Sequence, residues 1–600
     1  MTSVLNSTVP QEAAPEGDQA VKPAKAWWRF ALPALLVLGL LAHIAWRLWL
    51  IRYVPTVVAH ADEDRYLLSA RALAGGPGGF GNDTAAFRRL GYPLLLTPIY
   101  WYMQDPFKVH HVAQIIGAVI NALVFPLAYL FARRVLKTGI GLALVVSFLG
   151  ALLPAVVYYS QFTLTDVLFA PLGLAWLLLI HGWLAGRTAT SRLAAAMGAG
   201  AVVGYAYVTH VRGLVMLGVH TVVFLFVLWA KRDSWDKRTR YTPLIGSAVV
   251  ALLVASIDWF AKASIGSRME HGGVEPDDKL MSAVTSALGI VRTLTDAAGQ
   301  FWYLSVATGG LAAVGLIVVY RAIRNHDDFP RRVVFGTLLA TTVLIALSSA
   351  AALPVDMRVS NHAYFRYIAF LAPVWVMIGM SALVRAEAGA RFKLIAQAAG
   401  FVGVSLFVLL TRMAPGEWFH PFDTPEVSFL TNAFDDFRPF KASLIALVLL
   451  AAWMLRQWAI PAVLLAATSL ATMVVVDVKA IQPMVAKEYV TGSRLVHDIG
   501  VTPADVVESA EQVDLGSALN HQREVYWSQV RQFDAETGQP TGQATIVIAP
   551  WYPQYVDPEC DAEERNDCER VHWDGQSMGW TRIYTYVNDD RRWAVWRRDR

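Results

Sequence analysis

The 600-residue sequence has few charged residues and almost no cysteine. Only 16 % of its residues are charged, whereas 55 % are hydrophobic, and the chain contains two cysteines. We find neither an internal repeat nor a glycine-rich nucleotide-binding loop, so neither a solenoid nor a P-loop enzyme is expected. A soluble protein of this length would show separate amphipathic domains, but this chain consists of long apolar runs joined by short basic or aromatic loops. The composition therefore predicts a polytopic membrane protein.

The two cysteines, Cys560 and Cys568, lie close together in the polar C-terminal region. A lone pair there indicates either one disulfide on an oxidising, extracytoplasmic side or two free thiols. A metal site is less favoured, because two thiols without nearby partners leave the coordination incomplete.

Apolar segments of membrane-spanning length predict about 13 transmembrane helices. They cover residues 30–51, 109–132, 138–157, 166–184, 194–209, 213–230, 242–260, 300–320, 333–353, 364–384, 393–411, 441–455 and 459–477. Basic clusters fall in the loops that alternation from a cytoplasmic N-terminus assigns to the inside, as the positive-inside rule requires. An odd number of spans then places the C-terminus outside.

Three regions follow from this layout. Residues 1–29 are expected to form a disordered cytoplasmic tail, and residues 30–479 a transmembrane domain with a long first external loop over 52–108. From residue 480 to 600 hydrophobicity falls, and short strand and helix patterns predict a small extracytoplasmic α/β domain.

The most informative segment is residues 60–66, His-Ala-Asp-Glu-Asp-Arg-Tyr, directly after the first span. Acids at a membrane face are functional candidates by default. No ATP is expected on the outside, so chemistry there needs a pre-activated substrate, for which a lipid-linked one is the natural choice. The alternative is that these acids only compensate the dipole of a helix that begins there.

Three motifs in order resemble the GT-C glycosyltransferases. Residues 62–66 are similar to the D-E-x-R-Y signature after the first span, closest to the protein O-mannosyltransferase and aminoarabinose transferase branch. Residues 158–169 resemble the stretch with an acid, here Asp166, at the external start of the fourth span. Residues 361–367, followed by Pro373, are similar to the R-Y…P stretch that starts a late span. The resemblance implies the GT-C fold, with residues 30–479 as the catalytic domain.

The resemblance also implies a reaction: inverting transfer of a hexose or pentose from a polyprenyl-phosphate donor to an extracytoplasmic glycan, lipid or protein. Asp62 matches the catalytic base, with Glu63 beside it, and Asp166 matches the second acid. Asp166 would orient the acceptor or, with Asp62, ligate a divalent cation such as Mg or Mn. Residues 89–93, Arg-Leu-Gly-Tyr-Pro, replace the glutamate-lysine-proline stretch of the aminoarabinose branch, which argues against lipid A as the acceptor.

A lipid phosphate requires cations near the membrane surface, and a guanidinium offers a bidentate fork for it. The alternative for each such arginine is a side chain that merely extends to the interface. The candidate substrate-binding residues are Arg65, Tyr66, Arg89, Tyr92, Arg212, Tyr364, Arg366 and Tyr367.

Two other polar clusters receive structural interpretations. Residues 271–278, with His271, Glu275, Asp277 and Asp278, are typical of a solvated loop rather than a metal site. His110 is expected to be structural, because no carboxylate lies at ligand spacing beside it.

Two other functions remain open. A transporter or lipid flippase would show charged or broken segments near the bilayer midplane and symmetry between halves, whereas these acids cluster at the ends of spans. A catalytically inactive scaffold of envelope assembly is the second, and the intact Asp62 and Asp166 argue against it.

Overall fold

The computed structural model describes residues 28–81, 89–265, 270–271, 283, 285–325, 327–353, 358–414, 416–491, 495–552, 571–588 and 591–598. This part of the chain forms a bundle of apolar helices followed by a small domain with a five-stranded sheet.

The described part of the first half of the chain is mainly helical. Its helices are α1 (Trp28–Leu50), α2 (Asp62–Leu73), α3 (Gly91–Tyr100), α4 (Pro106–Ala122), α5 (Val124–Arg134), α6 (Ile140–Leu152), α7 (Pro154–Val157), α8 (Asp166–Ala185), α9 (Ala189–Thr209), α10 (Arg212–Ala230) and α11 (Lys237–Ile265). A two-residue parallel pair, β1 (Phe80–Gly81) with β2 (Glu270–His271), joins the loops after α2 and α11.

The second half continues the bundle. Its helices are α12 (Ala287–Ala307), α13 (Leu311–Asn325), α14 (Phe329–Ala352), α15 (Ala372–Arg385), α16 (Ala388–Leu410), α17 (Pro425–Thr431), α18 (Pro439–Ala451), α19 (Ala459–Val476) and α20 (Gln482–Thr491). Short 3₁₀ turns lie between α14 and α15, including Phe365–Tyr367.

Eight helices in the described residues are long and apolar enough to cross a membrane, or up to ten if each of two bent pairs counts as one span. Helices satisfy their own backbone hydrogen bonds, which is why such apolar segments can cross lipid. Shorter apolar helices cover Ala369–Arg385 and Pro439–Met454. The protein is therefore a multi-pass membrane protein, and the number of about 13 spans stays a prediction.

Two predicted spans need correction. In the segment 138–157, α6 ends at Leu152 and the helix that begins at Pro154 is bent by 55° relative to it. The segment 300–320 is not one straight helix, because α12 ends at Ala307, α13 begins at Leu311, and the two axes differ by 115°. Gly309 and Gly310 have φ values of +57° and +80°. Side chains other than glycine rarely adopt such values, so this glycine pair makes the reversal possible. The mean hydropathy of the segment does not reveal this reversal of the chain.

The C-terminal domain is a small α/β unit, as predicted. Strands β3 (Val507–Ala510), β4 (Arg531–Phe533), β5 (Ile546–Pro550), β6 (Trp580–Asn588) and β7 (Arg591–Arg598) form a sheet in the order β4-β3-β5-β7-β6. Strand β3 is parallel to β4 and β5, and β7 is antiparallel to β5 and β6. Helix α21 (Leu515–Glu524) connects β3 to β4.

Helix α21 fixes the C-terminal domain to α2. Arg71 near the end of α2 donates to the backbone carbonyls of Gln522 at 2.8 Å and of Pro77 at 2.7 Å. Asp64, in the first turn of α2, forms an ion pair with Arg523. These contacts lie at one end of the helical bundle.

Candidate active site

Helix α2 presents Asp62 at its first turn. The preceding residue, Ala61, has a φ of +68° and a ψ of −42°, which L-residues rarely adopt. Such a conformation costs about 1–3 kcal/mol and persists only where the surroundings hold it. The side chain of Asp62 is 42 % exposed and so remains reachable from solvent.

Arg366 connects Asp62 to Asp166. Its Nη1 donates to Asp62 Oδ2 at 2.8 Å, while its Nε and Nη2 donate to Asp166 Oδ2 at 3.2 and 3.1 Å. Asp166 is the first residue of α8, and Arg366 lies in the 3₁₀ turn before α15. Both side chains are less than a tenth exposed. Three of the residues singled out by the sequence motifs therefore meet in one place.

Arg212, the first residue of α10, extends this cluster from the other side. Its Nη1 donates to Asp166 Oδ1 at 3.0 Å, and its Nε donates to His210 Nδ1 at 3.2 Å. In the described part of the chain, its buried Nη2 has no hydrogen-bond partner. We call Asp62, Arg366, Asp166 and Arg212, in this order of contact, the charge chain.

The charge chain alternates in sign, so each of its three buried members lies beside a group of opposite charge. Burial alone would lower the pKa of the Arg366 guanidinium, but Asp166, Tyr364 and Asp62 around it raise that pKa well above its ordinary value. A buried guanidinium with two carboxylate partners is held in a fixed orientation.

Aromatic rings surround both arginines. The Cζ of Arg366 lies 5.5 Å from the ring centroid of Tyr159, and that of Arg212 lies 4.4 Å from Phe169 and 5.1 Å from Tyr367. The ring of Tyr364 lies 5.3 Å from that of Tyr367. The ring faces attract the cations and exclude water from them.

Tyr66 and Tyr92 line the same region from α2 and α3. The Tyr66 hydroxyl lies 3.5 Å from Thr165 Oγ1, and its ring meets that of Tyr92 edge-on at 5.5 Å. Burial and the nearby Asp62 raise the pKa of Tyr66 to about 12, so it remains a hydrogen-bond donor.

Arg65 contributes positive charge to the same end of the bundle. The pKa of His210 lies well below its ordinary value because His210 is buried and because Arg212, Arg366 and Arg65 are near it. His210 is therefore a neutral acceptor for Arg212.

Glu63 lies on a different face of α2 and has other partners. Its Oε2 accepts from Thr163 N at 2.7 Å and lies 3.0 Å from His110 Nε2, and its Oε1 accepts from Val58 N at 3.2 Å and Ala59 N at 3.0 Å. Burial alone would raise the pKa of this carboxyl, but these hydrogen bonds lower it to about 2. Glu63 thus anchors α2 to α4 and to the loop before α8.

Arg89 lies outside the charge chain. Its Nη1 donates to Asp258 Oδ2 at 3.0 Å, and its Cζ lies 4.1 Å from the ring of Tyr207. The same carboxylate accepts from Leu90 N at 2.9 Å. Arg89 therefore ties the start of α3 to α11.

The donor set does not fit the divalent cation expected at Asp62 and Asp166. Both carboxylates bind Arg366, whose guanidinium supplies the positive charge between them. Across the described ranges, no group of three histidine, cysteine or acidic side chains has metal-binding geometry. We derive no step through a metal.

Two predictions concern residues outside the described ranges. The Cys560–Cys568 pairing is one, and the polar loop with Glu275, Asp277 and Asp278 is the other. For His271 the structure describes only its place in β2.

Sequence reasoning missed the polar partners of the predicted residues. His110 is structural as expected, but its carboxylate partner, Glu63, lies 47 residues away along the chain. His210 lies two residues before Arg212, and Thr165 directly precedes Asp166. Their closeness in sequence to a candidate residue could therefore have identified them as part of the site.

Comparison with solved structures identifies the architecture. The chain aligns with the crystal structure of ArnT from Cupriavidus metallidurans bound to undecaprenyl phosphate, with a TM-score of 0.54 and 13 % identity, covering 96 % of this chain and 98 % of that one. The chain has the GT-C fold. The resemblance expected from the motifs is thus confirmed at the level of the fold.

Two further similarities are weaker. ArnT from the same organism in the apo state aligns with a TM-score of 0.49 at 13 % identity, covering 95 % of this chain and 97 % of that one. An Archaeoglobus fulgidus oligosaccharyltransferase in the apo form aligns with a TM-score of 0.42 at 13 % identity, over 88 % and 70 %. No protein-family model and no curated protein sequence matches this chain.

Proposed function

We propose that this protein is an integral-membrane glycosyltransferase that transfers a sugar from a polyprenyl-phosphate donor to an extracytoplasmic acceptor. The observation that carries the proposal is the charge chain, because it places two carboxylates and two arginines at one end of a GT-C bundle. A sugar transferase requires a base for the acceptor hydroxyl and cations for a phosphate leaving group, and this site supplies both.

Arg366 and Arg212 are proposed to bind the donor phosphate. Nη2 of Arg212 is buried without a partner among the described residues, and Nη1 of Arg366 is held only by the partly exposed Asp62. These two N–H groups are the donors most readily offered to phosphate oxygens. The structurally similar ArnT was crystallised with undecaprenyl phosphate, which supports a lipid phosphate as the ligand class.

The reaction proposed is a single inverting displacement. The acceptor hydroxyl oxygen attacks the anomeric carbon, the bond from that carbon to the phosphate oxygen breaks, and its electron pair leaves with the phosphate. Asp62 takes the hydroxyl proton, while Arg366 and Arg212 stabilise the charge that develops on the phosphate. Asp166 holds both arginines in place.

Donor binding would also activate the base. A phosphate that takes Nη1 of Arg366 displaces Asp62, because Asp166 is buried and holds the guanidinium through two other nitrogens. Without this contact, the Asp62 carboxylate is free to accept the proton of the acceptor hydroxyl. Asp62 would thus stay paired with Arg366 until the donor binds.

The sidedness of the site is part of the proposal. Basic loops inside and about 13 spans place the N-terminus in the cytoplasm and residues 480–600 outside. In a background with both native cysteines replaced by serine, single cysteines at Gly78 and Gly538 should react with an impermeant thiol reagent in intact cells. A cysteine at Lys237 should react only after permeabilisation, and a protected Gly538 position would overturn this orientation.

The direct test is transfer by the purified protein in nanodiscs, with polyprenyl-phosphate sugars extracted from the source cells. Cells lacking the protein should accumulate one such lipid, which would name the donor. Consumption of that donor should require the intact charge chain, with Asp233→Asn as an exposed control. Accumulation of no lipid-linked sugar, together with lipid transport by the purified protein, would favour a flippase.

A further inference from the structure

A cavity lies between the helical bundle and the C-terminal domain. Its volume is about 250 Å³, and its described lining residues are Gln104, Asp105, Pro106, Phe107, Val496, His497, Glu524 and Tyr526. None of these belongs to the charge chain.

Glu524 has one carboxylate oxygen in this cavity, Oε2, that lacks a hydrogen-bond partner among the described residues. The residue is 9 % exposed, and no donor in the described part of the chain reaches its Oε2. The backbone amides of Leu495 and Val496 hydrogen-bond the carboxyl group, which leaves Oε2 for a ligand. A buried carboxylate oxygen without a donor is costly unless a ligand supplies one.

The other polar groups of the lining are also mainly acceptors. Gln104 donates one amide N–H to the carbonyl of Tyr100 at 2.9 Å, and its amide oxygen can accept from a ligand. Asp105 caps α4 by accepting from Lys108 N at 2.9 Å with one oxygen, which leaves the other to accept. The described lining contains no lysine or arginine, and His497 is its only side chain that can gain positive charge.

We infer that this cavity binds a small polar ligand through a primary ammonium group. An ammonium carries three N–H donors and a positive charge, which matches Glu524, Asp105 and the oxygen of Gln104. The rings of Phe107 and Tyr526 also line the cavity, and an aromatic ring face can attract a cation. A neutral hydroxyl offers one donor and no charge, so it satisfies fewer of these groups.

The charge balance around Glu524 supports this assignment. Burial raises the pKa of Glu524 to about 8, Asp498 acts in the same direction, and Arg523 and the backbone amides oppose it. Arg523 does not neutralise Glu524 fully, because it is paired with Asp64. A cation in the cavity would stabilise the ionised carboxylate that burial disfavours.

Two matched pairs of probes test the site on the full-length protein in nanodiscs, by ligand-observed NMR or calorimetry. Ethanolamine is compared with ethylene glycol, and glucosamine with glucose, so that each pair differs in the amine. The amine of at least one pair should bind roughly 10-fold or more tightly than its neutral counterpart. Tighter binding of ethanolamine would indicate a lipid headgroup, and tighter binding of glucosamine an amino sugar.

Glu524→Gln should remove this preference without unfolding the domain. The amide oxygen of glutamine still accepts from Leu495 and Val496, while its NH₂ repels the ammonium. Asp105→Asn, which retains an N-cap, should weaken binding less. Glu511→Gln, an exposed substitution in the same domain, should change nothing.

Equal binding of amine and neutral probes would overturn the inference, as would amine binding that survives Glu524→Gln or the absence of amine binding at millimolar concentration. The measurement requires no transfer activity, so its outcome is independent of the proposed function.

Discussion

Asp62 and Glu63 are neighbours in the chain, yet the structure gives them opposite surroundings. Glu63 is fully buried and has four partners that belong to the fold, three of them backbone amides. Asp62 is 42 % exposed, and its described contact is one arginine that a phosphate can also bind. A carboxylate whose partners are all permanent serves structure, whereas one held by a single shared cation can exchange it during a reaction.

The two residues differ because a helix turns by about 100° per residue. Successive side chains of α2 therefore face different neighbours: Asp62 faces Arg366, Glu63 faces His110, and Asp64 faces Arg523. Residue type alone therefore does not show which of these three acids faces Arg366 and which face structural partners.

The largest effect is expected from Asp62→Asn. Asparagine retains the size of the side chain but cannot take the acceptor proton, so kcat should fall roughly 10²- to 10⁴-fold. The melting temperature should hardly change, because Asp62 is partly exposed. Near-normal transfer by this variant, measured in nanodiscs beside the Asp233→Asn control, would remove Asp62 as the base.

Glu63→Gln should mainly reduce stability. The amide NH₂ would face Thr163 N and His110, leaving buried donors unpaired at about 1–3 kcal/mol each. The melting temperature in detergent should therefore fall.

The pH dependence of stability provides a second measurement on Glu63. The folded-state pKa of about 2 lies below its ordinary value of 4.5, so the ionised carboxylate stabilises the fold above pH 4.5, and this contribution is lost as the pH falls towards 2. The Glu63→Gln variant should lack this component. If its stability fell with acid as steeply as the wild type's, Glu63 would not be the group responsible.

Arg366→Lys should produce a smaller loss that is specific to the reaction. Lysine retains the charge but cannot contact Asp62, Asp166 and a phosphate in one fixed plane. Losing a charged hydrogen bond costs about 1.5–3 kcal/mol. We expect kcat to fall more than donor KM rises, because the contact strengthens as the phosphate leaves. Unchanged kinetics in both Arg366→Lys and Arg366→Ala would transfer the phosphate site to Arg212.

The smallest effect is expected from Tyr66→Phe. The hydroxyl lies 3.5 Å from Thr165 Oγ1, at the limit of a hydrogen bond, so its loss should cost no more than about 1 kcal/mol. Transfer rates within a few-fold of wild type would agree with this. A 100-fold loss would mean that Tyr66 contacts the reacting groups. Asp62 would then not be the only residue in this part of α2 that acts in the reaction.

The sequence was most informative where short motifs carry charge at the ends of apolar segments. It grouped Asp62, Asp166 and Arg366, and the structure brings these side chains into contact, while their catalytic roles stay predictions. It also predicted the apolar bundle and the small α/β domain, because hydropathy and strand patterns are local properties.

The sequence did not predict contacts between distant segments of the chain. Arg89 was predicted from its position to contact a phosphate, and the sequence did not reveal that Asp258, 169 residues further along, accepts from its Nη1. The separation of Glu63 from the charge chain depends on His110 and Thr163, whose approach only packing determines. The reversal at Gly309 and Gly310 depends on two backbone conformations that an average hides.

The contact of Arg71 with Gln522 has a consequence for the making of the protein. The two residues are 451 positions apart. At the usual rate of translation, roughly 20 to 90 s separate their synthesis. Throughout that interval α2 is present without the C-terminal domain that it contacts in the folded protein. Asp64 and Arg71 therefore gain their partners in the C-terminal domain only when almost the whole polypeptide has been made, so an interrupted chain would contain the residues of the charge chain but lack the contacts that fix α2 to that domain.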